Sequence, residues 1–205
     1  MSENNRPEYG AHYRKVAARQ RQVAEPLKID AEFSPPRPDR QEVVLLGSAG
    51  QRIITAGEIL CLAGLTAGLR TTQKNEYNIT VLRGPSISEL ILSPEEIDYT
   101  GIEKPSAIAA LDQEGVDRRR TMFDHLDEDT LVVAIEGVEI PACRAQIHRV
   151  DLKSLGIKKP DWALASLGVL ANRGQIVSLE MLAAALKARF KGEILKNALE
   201  LIQTA

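Results

Sequence analysis

The sequence is poor in cysteine: among 205 residues only Cys61 and Cys143 are cysteines, and neither belongs to a CxxC pair. This scarcity argues against a metal cluster or a disulfide framework held by the chain, so each thiol is interpreted as a small buried hydrophobe in a reducing compartment. Long apolar runs are missing too, since none approaches the roughly 18 residues that a membrane span needs. The polar first 21 residues have no secretory-signal pattern. We therefore expect a cytoplasmic protein.

The sequence also lacks a large excess of either charge, and it lacks the common catalytic motifs. The formal net charge is -2, which gives no electrostatic reason to expect nucleic acid or an anionic membrane as a partner. The three histidines lie in unrelated segments without metal-ligand spacing, and Ser48 is not part of a GxSxG nucleophile elbow. The sequence therefore predicts neither a metal site nor a catalytic constellation of its own.

Residues 1–40 differ in composition from the rest of the chain. They contain five prolines and six arginines but few aliphatic side chains, whereas apolar segments begin at residue 43. We expect an extended, polar N-terminal arm over residues 1–40 and one domain over residues 41–205. The pattern permits a short helix over 12–24, whose apolar positions Val16, Ala17 and Val23 cannot drive folding without a partner. The arm is therefore either a disordered tail or a segment that lies on another subunit.

The rest of the chain alternates between apolar strand patterns and helical patterns. Residues 43–46 form a continuous apolar run, typical of a strand buried on both faces, and a glycine loop and a small-residue helix over 53–69 follow. Further strands are predicted at 71–82, 86–93, 106–111, 131–135 and 147–152, of which 86–93 should have one solvated face. Helices are predicted at 114–126, 163–171, 179–190 and 194–202. This order predicts an α/β, Rossmann-like, mostly parallel sheet with helices on both faces and a β-hairpin insertion around 77–93.

The glycine loop does not carry a dinucleotide fingerprint. The G-x-G-x-x-G positions are occupied by Gly47, Ala49 and Arg52, and arginine at the last position would crowd the packing of helix on strand. No acidic residue occurs at 71–74, where one would grip a ribose hydroxyl. NAD is therefore not the expected ligand.

Two other features leave alternatives open. The basic run Arg118-Arg119-Arg120 lies between Asp117 and Asp124, so it is either a solvated helix face or a binding patch. Trp162, after Pro160 and Asp161, either packs at a helix start or contacts a partner.

Several segments together resemble the gamma subunit of the 2-oxoacid:acceptor oxidoreductases, the family with pyruvate, ketoisovalerate, indolepyruvate and phenylglyoxylate types. Gly47-x-Ala49-Gly50-Gln51 and the helix after it resemble the family opening G-x-G-G-Q-G, although Ala49 and Arg52 replace glycines. The E-Y and R-G-G blocks of the family are matched by Glu76-Tyr77 and by Arg83-Gly84-Pro85-Ser86, with the strand to Ser93 after them. The strand that ends in Asp112 and the helices from Leu167 to Ala198 extend the resemblance over about 42–203.

The resemblance implies the gamma subunit of a multi-subunit enzyme that oxidatively decarboxylates a 2-oxoacid to acyl-CoA. It implies alpha, beta and delta-type partner subunits that hold thiamine diphosphate, Mg and 4Fe–4S clusters. Ferredoxin or an NAD-linked acceptor would take the electrons through those subunits. It implies no cofactor bound by this chain alone, and CoA at its interface. The gamma subunit would cover the active site and assist CoA access and assembly.

The residues predicted for this role fall into two groups. The cofactor-binding group has Arg52, Lys74 and Arg83 as charges for CoA phosphates and is completed by Gly47, Gly50 and Gln51. The interface group comprises Glu76, Tyr77, Gly84, Pro85 and Ser86. Three alternatives remain at this point: glycines that only let helix and strand pack, a subunit that never touches CoA, and a free-standing Rossmann-like ligand-binding protein.

Overall fold

The computed structural model describes residues 29–77 and 83–204. The predicted helix over 12–24 and the end of the predicted strand over 71–82 lie outside the described residues. The six strands are β1 (Gln41–Ser48), β2 (Arg70–Tyr77), β3 (Pro85–Ser93), β4 (Ala107–Ala110), β5 (Leu131–Ile135) and β6 (Gln146–Val150). The α-helices are α1 (Ile53–Leu65), α2 (Gln113–Arg118), α3 (Trp162–Asn172), α4 (Leu179–Arg189) and α5 (Gly192–Thr204), with short 3-10 helices at Arg120–His125 and Lys159–Asp161.

All six strands form one mixed sheet in the order β2-β3-β1-β4-β5-β6. The pairs β1–β4, β4–β5 and β5–β6 are parallel, whereas β3 is antiparallel to both β2 and β1. The β2–β3 hairpin therefore lies beside β1 as an insertion into an otherwise parallel α/β sheet. This confirms the predicted fold class.

Helices cover both faces of the sheet, as two neighbouring residues of β3 show. Side chains alternate between faces along a strand. The hydroxyl of Ser88 lies against α1, where a Cβ on Gly57 would be 2.5 Å from it. The next residue, Glu89, points to the other face and pairs with Arg119, directly after α2. The small residues of α1 therefore let this helix lie close to the sheet, as the sequence predicts.

Three expectations about single elements differ from the structure. Helix α1 ends at Leu65 rather than residue 69, because Gly68 has φ 73° and ends the helix in a left-handed turn. Strand β3 has no solvated face, because α1 covers one face at Ser88 and Arg119 lies on the other at Glu89. Ser88 is fully buried and bonded to Asn75. The predicted helix over 114–126 is a short α-helix followed by a 3-10 helix.

Part of the N-terminal arm lies on its own chain. The backbone N–H groups of Glu32 and Phe33 donate to the carbonyl of Thr66, at 2.8 and 3.0 Å, and the side chain of Phe33 packs against the core. Residues 29–40 contain neither helix nor strand. The predicted domain boundary at residue 41 stays a prediction.

The remaining expectations from composition concern the burial of the two cysteines and the absence of membrane-spanning segments. Cys61 and Cys143 are free, half-buried and packed against the core. Burial raises the pKa of the Cys61 thiol to about 11. Among residues 29–77 and 83–204, no helix is both long and apolar enough to cross a membrane.

Candidate functional site at the carboxyl ends of the strands

The 47–52 loop joins β1 to α1, and its shape depends on Gln51. This residue is only 1% exposed. Its Oε1 accepts a 2.7 Å hydrogen bond from the backbone N–H of Ser48, and its Nε2 donates a 3.2 Å bond to the carbonyl of Leu111. Both ends of the amide are thus used within the chain, where they tie the end of β1 to the end of β4. The sequence predicts Gln51 as a cofactor-binding residue; in the structure its side chain lies inside the protein and holds the loop.

The two loop glycines have different physical requirements. A Cβ on Gly47 would lie 2.6 Å from Oε1 of Gln51, so this position needs glycine for packing. Gly50 has φ 89°, in the left-handed region that favours glycine, and no atom lies within 4 Å of where its Cβ would be. The backbone at Gly50 is therefore open to close approach by a ligand or by another chain, whereas Gly47 serves the fold.

Arg52 combines a strained backbone with an exposed side chain. Its φ of 54° and ψ of 33° place it in the left-handed region, where it is the only residue other than glycine in the described part of the chain. Its side chain is 66% exposed and donates to Asp161 at 2.8 Å. An exposed pair contributes at most about 1 kcal/mol, while a left-handed backbone costs roughly 1–2 kcal/mol for a residue with a Cβ. The ion pair therefore offsets the strain at best in part.

The ends of β1 and β4 lie side by side at this edge, and the chain leaves the two strands toward opposite faces of the sheet. From β1 it runs into α1 on one face, and from β4 it runs into α2 on the other, which is the arrangement that forms ligand crevices in α/β sheets. Asp112 follows β4 at this edge and accepts from the hydroxyl of Ser48 at 3.0 Å, while Lys159 Nζ lies 2.6 Å from it. Partial burial raises the pKa of Asp112, but the hydrogen bond from Lys159 and two weaker ones outweigh it, so that this pKa lies below its ordinary value.

The predicted interface residues meet the glycine loop at this edge of the sheet. Gly47 pairs with Ser86 and Ser48 with Pro85, and the N–H of Ala49 donates to the carbonyl of Gly84 at 2.9 Å. In the next strand Tyr77 pairs with Ser86. The start of β3 and the end of β2 therefore lie beside the loop, although the residues come from separate segments of the sequence.

Two predicted site residues are instead engaged in an ion-pair network on the sheet face that α1 does not cover. Glu76 accepts from Arg118 and Arg119, and Glu89 pairs with both Arg119 and Lys74. The hydrogen bonds from Arg119, and then from Arg118, hold the pKa of Glu76 below its ordinary value. Within the basic run, Arg118 and Arg119 are thus engaged by carboxylates of the same chain, whereas Arg120 is exposed. Lys74 is held by Glu89 three residues below the loop edge, so it does not join the other predicted cations.

Arg83 is the cation at this edge that no carboxylate of residues 29–77 and 83–204 neutralises. It is exposed, and it directly precedes Gly84, whose carbonyl binds the loop. We use the term carboxyl-end surface for residues 48–52, 76–77 and 83–86 together with Asp112 and 159–161. The open backbone of Gly50 and the charge of Arg83 make this surface suited to an anionic ligand or to an acidic partner surface.

A polar cavity of about 430 Å³ lies at the opposite, amino-terminal edge of the sheet, lined by Arg40, Glu42, Lys104 and Asp127 among others. Four of its charged lining residues are paired, because Arg40 binds Glu42 and Lys104 binds Asp127, both near 2.9 Å. The second oxygen of Glu42 accepts from two backbone N–H groups, so it orders the loop before β4.

Comparison with known proteins places the chain in a family. Residues 42–205 match the profile described as pyruvate ferredoxin/flavodoxin oxidoreductase. The 2-oxoglutarate synthase subunit KorC of Methanocaldococcus jannaschii is 32% identical over 154 residues, which cover 72% of this chain and 82% of that protein. The chain belongs to the pyruvate ferredoxin/flavodoxin oxidoreductase family. It is a gamma-type subunit of a multi-subunit 2-oxoacid:ferredoxin oxidoreductase, as the sequence predicts, and the free-standing ligand-binding alternative is not favoured.

Solved structures support the fold of this family member. The gamma subunit of keto/oxoacid ferredoxin oxidoreductase from Geobacter sulfurreducens has a TM-score of 0.65 and 22% identity, covering 80% of this chain and 95% of that one. The 2-oxoglutarate:ferredoxin oxidoreductase of Magnetococcus marinus was solved with 2-oxoglutarate, coenzyme A and succinyl-CoA bound. It gives a TM-score of 0.67 at 17% identity, over 81% of this chain and 30% of that longer chain. The fold is therefore that of an oxidoreductase gamma subunit.

Asp112, Lys159 and Asp161 are the charged members of the carboxyl-end surface that sequence reasoning does not assign to a site. The signal for Asp112 was present, because an acidic residue directly follows a buried strand and the strands of a parallel sheet end at one edge. Lys159 and Asp161 precede α3 and reach this edge only through the fold. Trp162 beside them is a packing residue, since its indole N–H donates to the carbonyl of Ile157 at 2.9 Å.

Proposed function

We propose that the chain contributes its carboxyl-end surface to the enzyme's CoA entry path, with alpha-, beta- and delta-type subunits beyond it. In this role the chain covers the active site and assists assembly, while the reaction takes place in the other subunits. Arg83 is the observation that carries the proposal. Its side chain is exposed and forms no ion pair with residues 29–77 and 83–204, and it directly precedes Gly84, whose carbonyl accepts from the N–H of Ala49 beside Gly50.

Only some of the residues predicted to bind CoA are placed so that they fit its phosphates. Arg83 and Arg52 are exposed at the edge, and Arg52 is held only by an exposed pair with Asp161 that a phosphate can replace. Lys74 does not fit, because Glu89 holds it away from the edge. Gln51 holds the loop in place. When bound, CoA would accept the acyl group; the residues of this chain would only bind and orient its phosphates.

Thiamine diphosphate, Mg and the 4Fe–4S clusters are assigned by this proposal to the partner subunits. Two half-buried thiols far apart in sequence are too few to ligate a cluster that requires four cysteines. Within residues 29–77 and 83–204, no three His, Cys, Asp or Glu side chains are grouped so as to hold a metal ion. The assignment to partners therefore agrees with the donor set of this chain.

The 2-oxoacid to test first is 2-oxoglutarate, because the KorC relative is named for 2-oxoglutarate synthase. Pyruvate, branched-chain and aromatic 2-oxoacids form the rest of the panel. The residues described above do not include a pocket for the substrate, so substrate choice is assigned to other subunits.

The decisive experiment measures KM for CoA and kcat in the assembled enzyme with Arg83→Ala, Arg52→Ala and Arg70→Ala. Arg70 is an exposed arginine of the same hairpin, but it lies at the opposite edge of the sheet and is the matched control. Loss of a charge-assisted hydrogen bond at an exposed site is expected to raise KM for CoA about three- to tenfold, or roughly 1 kcal/mol. Arg83→Ala should show this rise with kcat nearly unchanged, and Arg70→Ala should behave as wild type.

Native mass spectrometry of each variant separates this role from a purely structural one. A subunit that never touches CoA would leave KM unchanged in both edge variants while Arg83→Ala or Arg52→Ala weakens assembly. That result would overturn the CoA part of the proposal and keep the subunit role.

A further inference from the structure

An apolar groove of about 570 Å³ lies between helices α1, α3 and α5, next to the carboxyl-end surface. Its apolar lining includes Ile59, Leu164, Phe190, Ile194, Ala198 and Leu201. Ile194, Ala198 and Leu201 follow one another at helical spacing along α5, so the groove extends along about two turns, or roughly 10 Å, of that helix.

Among the residues that the structure describes, none closes this groove off from solvent. Ile194 is 64% exposed, the largest exposed fraction of any large hydrophobic residue described. Its lining also includes Arg52 and Asp161, which form an exposed ion pair, and Arg189, which pairs with Glu58. An apolar groove framed in this way by three helices has the shape that accepts one further amphipathic helix.

The N-terminal arm reaches the described structure close to this groove. Ala31 lies 3.5 Å from the Cβ position of Gly68, and Glu32 and Phe33 bind the carbonyl of Thr66. Thr66 follows Ile59 by seven residues, so it lies about 10 Å along α1 from the groove. Residues 25–31 span up to about 23 Å when extended, so they can connect the groove to this anchor.

The arm segment before that connector has the sequence pattern the groove requires. Over residues 12–24, helical spacing places Tyr13, Val16, Ala17 and Val23 on one side, whereas the opposite side carries Ala18 and Gln22. This apolar stripe cannot fold a helix by itself and needs a surface to pack on. Pro26 ends the segment where the connector begins.

From the groove, its distance to the arm and the arm's pattern, we infer that residues 13–24 bind as a helix in the groove between α1, α3 and α5 of the same chain. Tethering favours this occupant over others, because a connector of matching length raises the local concentration of the segment to the millimolar range. The inference does not depend on CoA binding, so its failure would leave the proposed function intact.

Hydrogen exchange of the α5 amides tests this inference in the full chain and in the assembled enzyme. Deleting residues 2–28, or introducing Val16→Asp with Val23→Asp, should speed exchange around Ile194–Leu201 about tenfold. Ala18→Asp with Gln22→Asp changes the same segment on its opposite side and should leave exchange unchanged.

A substitution in the groove tests the other side of the contact. Ile194→Asp should abolish the difference in α5 exchange rate between the full and the truncated chain. Leu155→Asp, at a 49% exposed site outside the groove, should not. Circular dichroism shows whether each variant is folded.

Disulfide trapping identifies the occupant directly. In a Cys61→Ser, Cys143→Ser background, Val16→Cys should form a disulfide with Asn197→Cys, an exposed groove residue, and Ala18→Cys should not. The expected product keeps the monomer mass.

Three results of these experiments would contradict the inference. Cross-linked dimers would show that a second copy fills the groove. Groove protection only in the assembled enzyme would assign it to another subunit, and exchange rates equal in all variants would show that the arm does not bind there. Each of these three results overturns the inference.

Discussion

Replacing Gln51 by methionine tests whether this residue holds the glycine loop or binds a ligand. Methionine keeps the length and much of the volume of glutamine but cannot replace either hydrogen bond. The change leaves the Ser48 N–H and the Leu111 carbonyl without their 2.7 and 3.2 Å partners in a site where Gln51 is 1% exposed. Each buried group left unpaired costs about 1–3 kcal/mol. The free energy of unfolding should therefore fall by roughly 2–6 kcal/mol.

Urea denaturation followed by circular dichroism and by the fluorescence of Trp162, the only tryptophan, measures the effect. For a chain of this size, a loss of about 3 kcal/mol lowers Tm by roughly 6–12 °C. Gln203→Met, at an exposed position of α5, is the matched control and should change stability by less than about 0.5 kcal/mol. If Gln51→Met were as stable as this control while KM for CoA rose strongly, the assignment of Gln51 to the fold would be refuted.

Three further predictions concern the same edge and the core. Arg52→Gly should be at least as stable as wild type, because glycine relieves the left-handed backbone, and about 1 kcal/mol more stable than Arg52→Ala in thermal unfolding; equal stability of the two variants would contradict the strain. The lowered pKa of Asp112 contributes stability that is present above its ordinary value of 3.8 and is lost as pH falls through the lower, folded pKa. The stability advantage of wild type over Asp112→Asn should therefore shrink in denaturation series below about pH 4; an advantage independent of pH would exclude this origin. With its pKa near 11, the Cys61 thiol should resist alkylation at pH 8 in the native protein and react after denaturation, with Cys61→Ser as the control for mass mapping; rapid native labelling at this residue would contradict its burial.

Local patterns in the sequence were sufficient for most of the fold. The apolar run at 43–46 and the glycines after it predict β1 and a close-packed α1, because burial on both faces and small helix residues are local signals. The hairpin and the strands β4 and β5 follow in the same way. The burial of both faces of β3 could not be predicted locally, since its alternating serines suggest a solvated face until the packing of α1 and Arg119 on the sheet is known.

The candidate site was only partly predictable, because its contacts join distant parts of the chain. The Ser48–Asp112 bond spans 64 residues and the Arg52–Asp161 pair spans 109. The resemblance to gamma subunits brought the loop, Glu76 and the Arg83–Ser86 block to attention. It could not show that Lys74 is engaged by Glu89, and Glu76 by the arginines at the end of α2. Side-chain partners depend on packing geometry, and no single sequence segment encodes that geometry.

Isolation of the chain under anaerobic conditions from its own cells tests the central claim most directly. Native mass and visible absorbance of the purified species are the two readouts. The account predicts co-isolation with larger subunits and a broad iron–sulfur absorbance, together with CoA-dependent oxidation of a 2-oxoacid. A colourless species with the mass of this chain alone or of its dimer would contradict it.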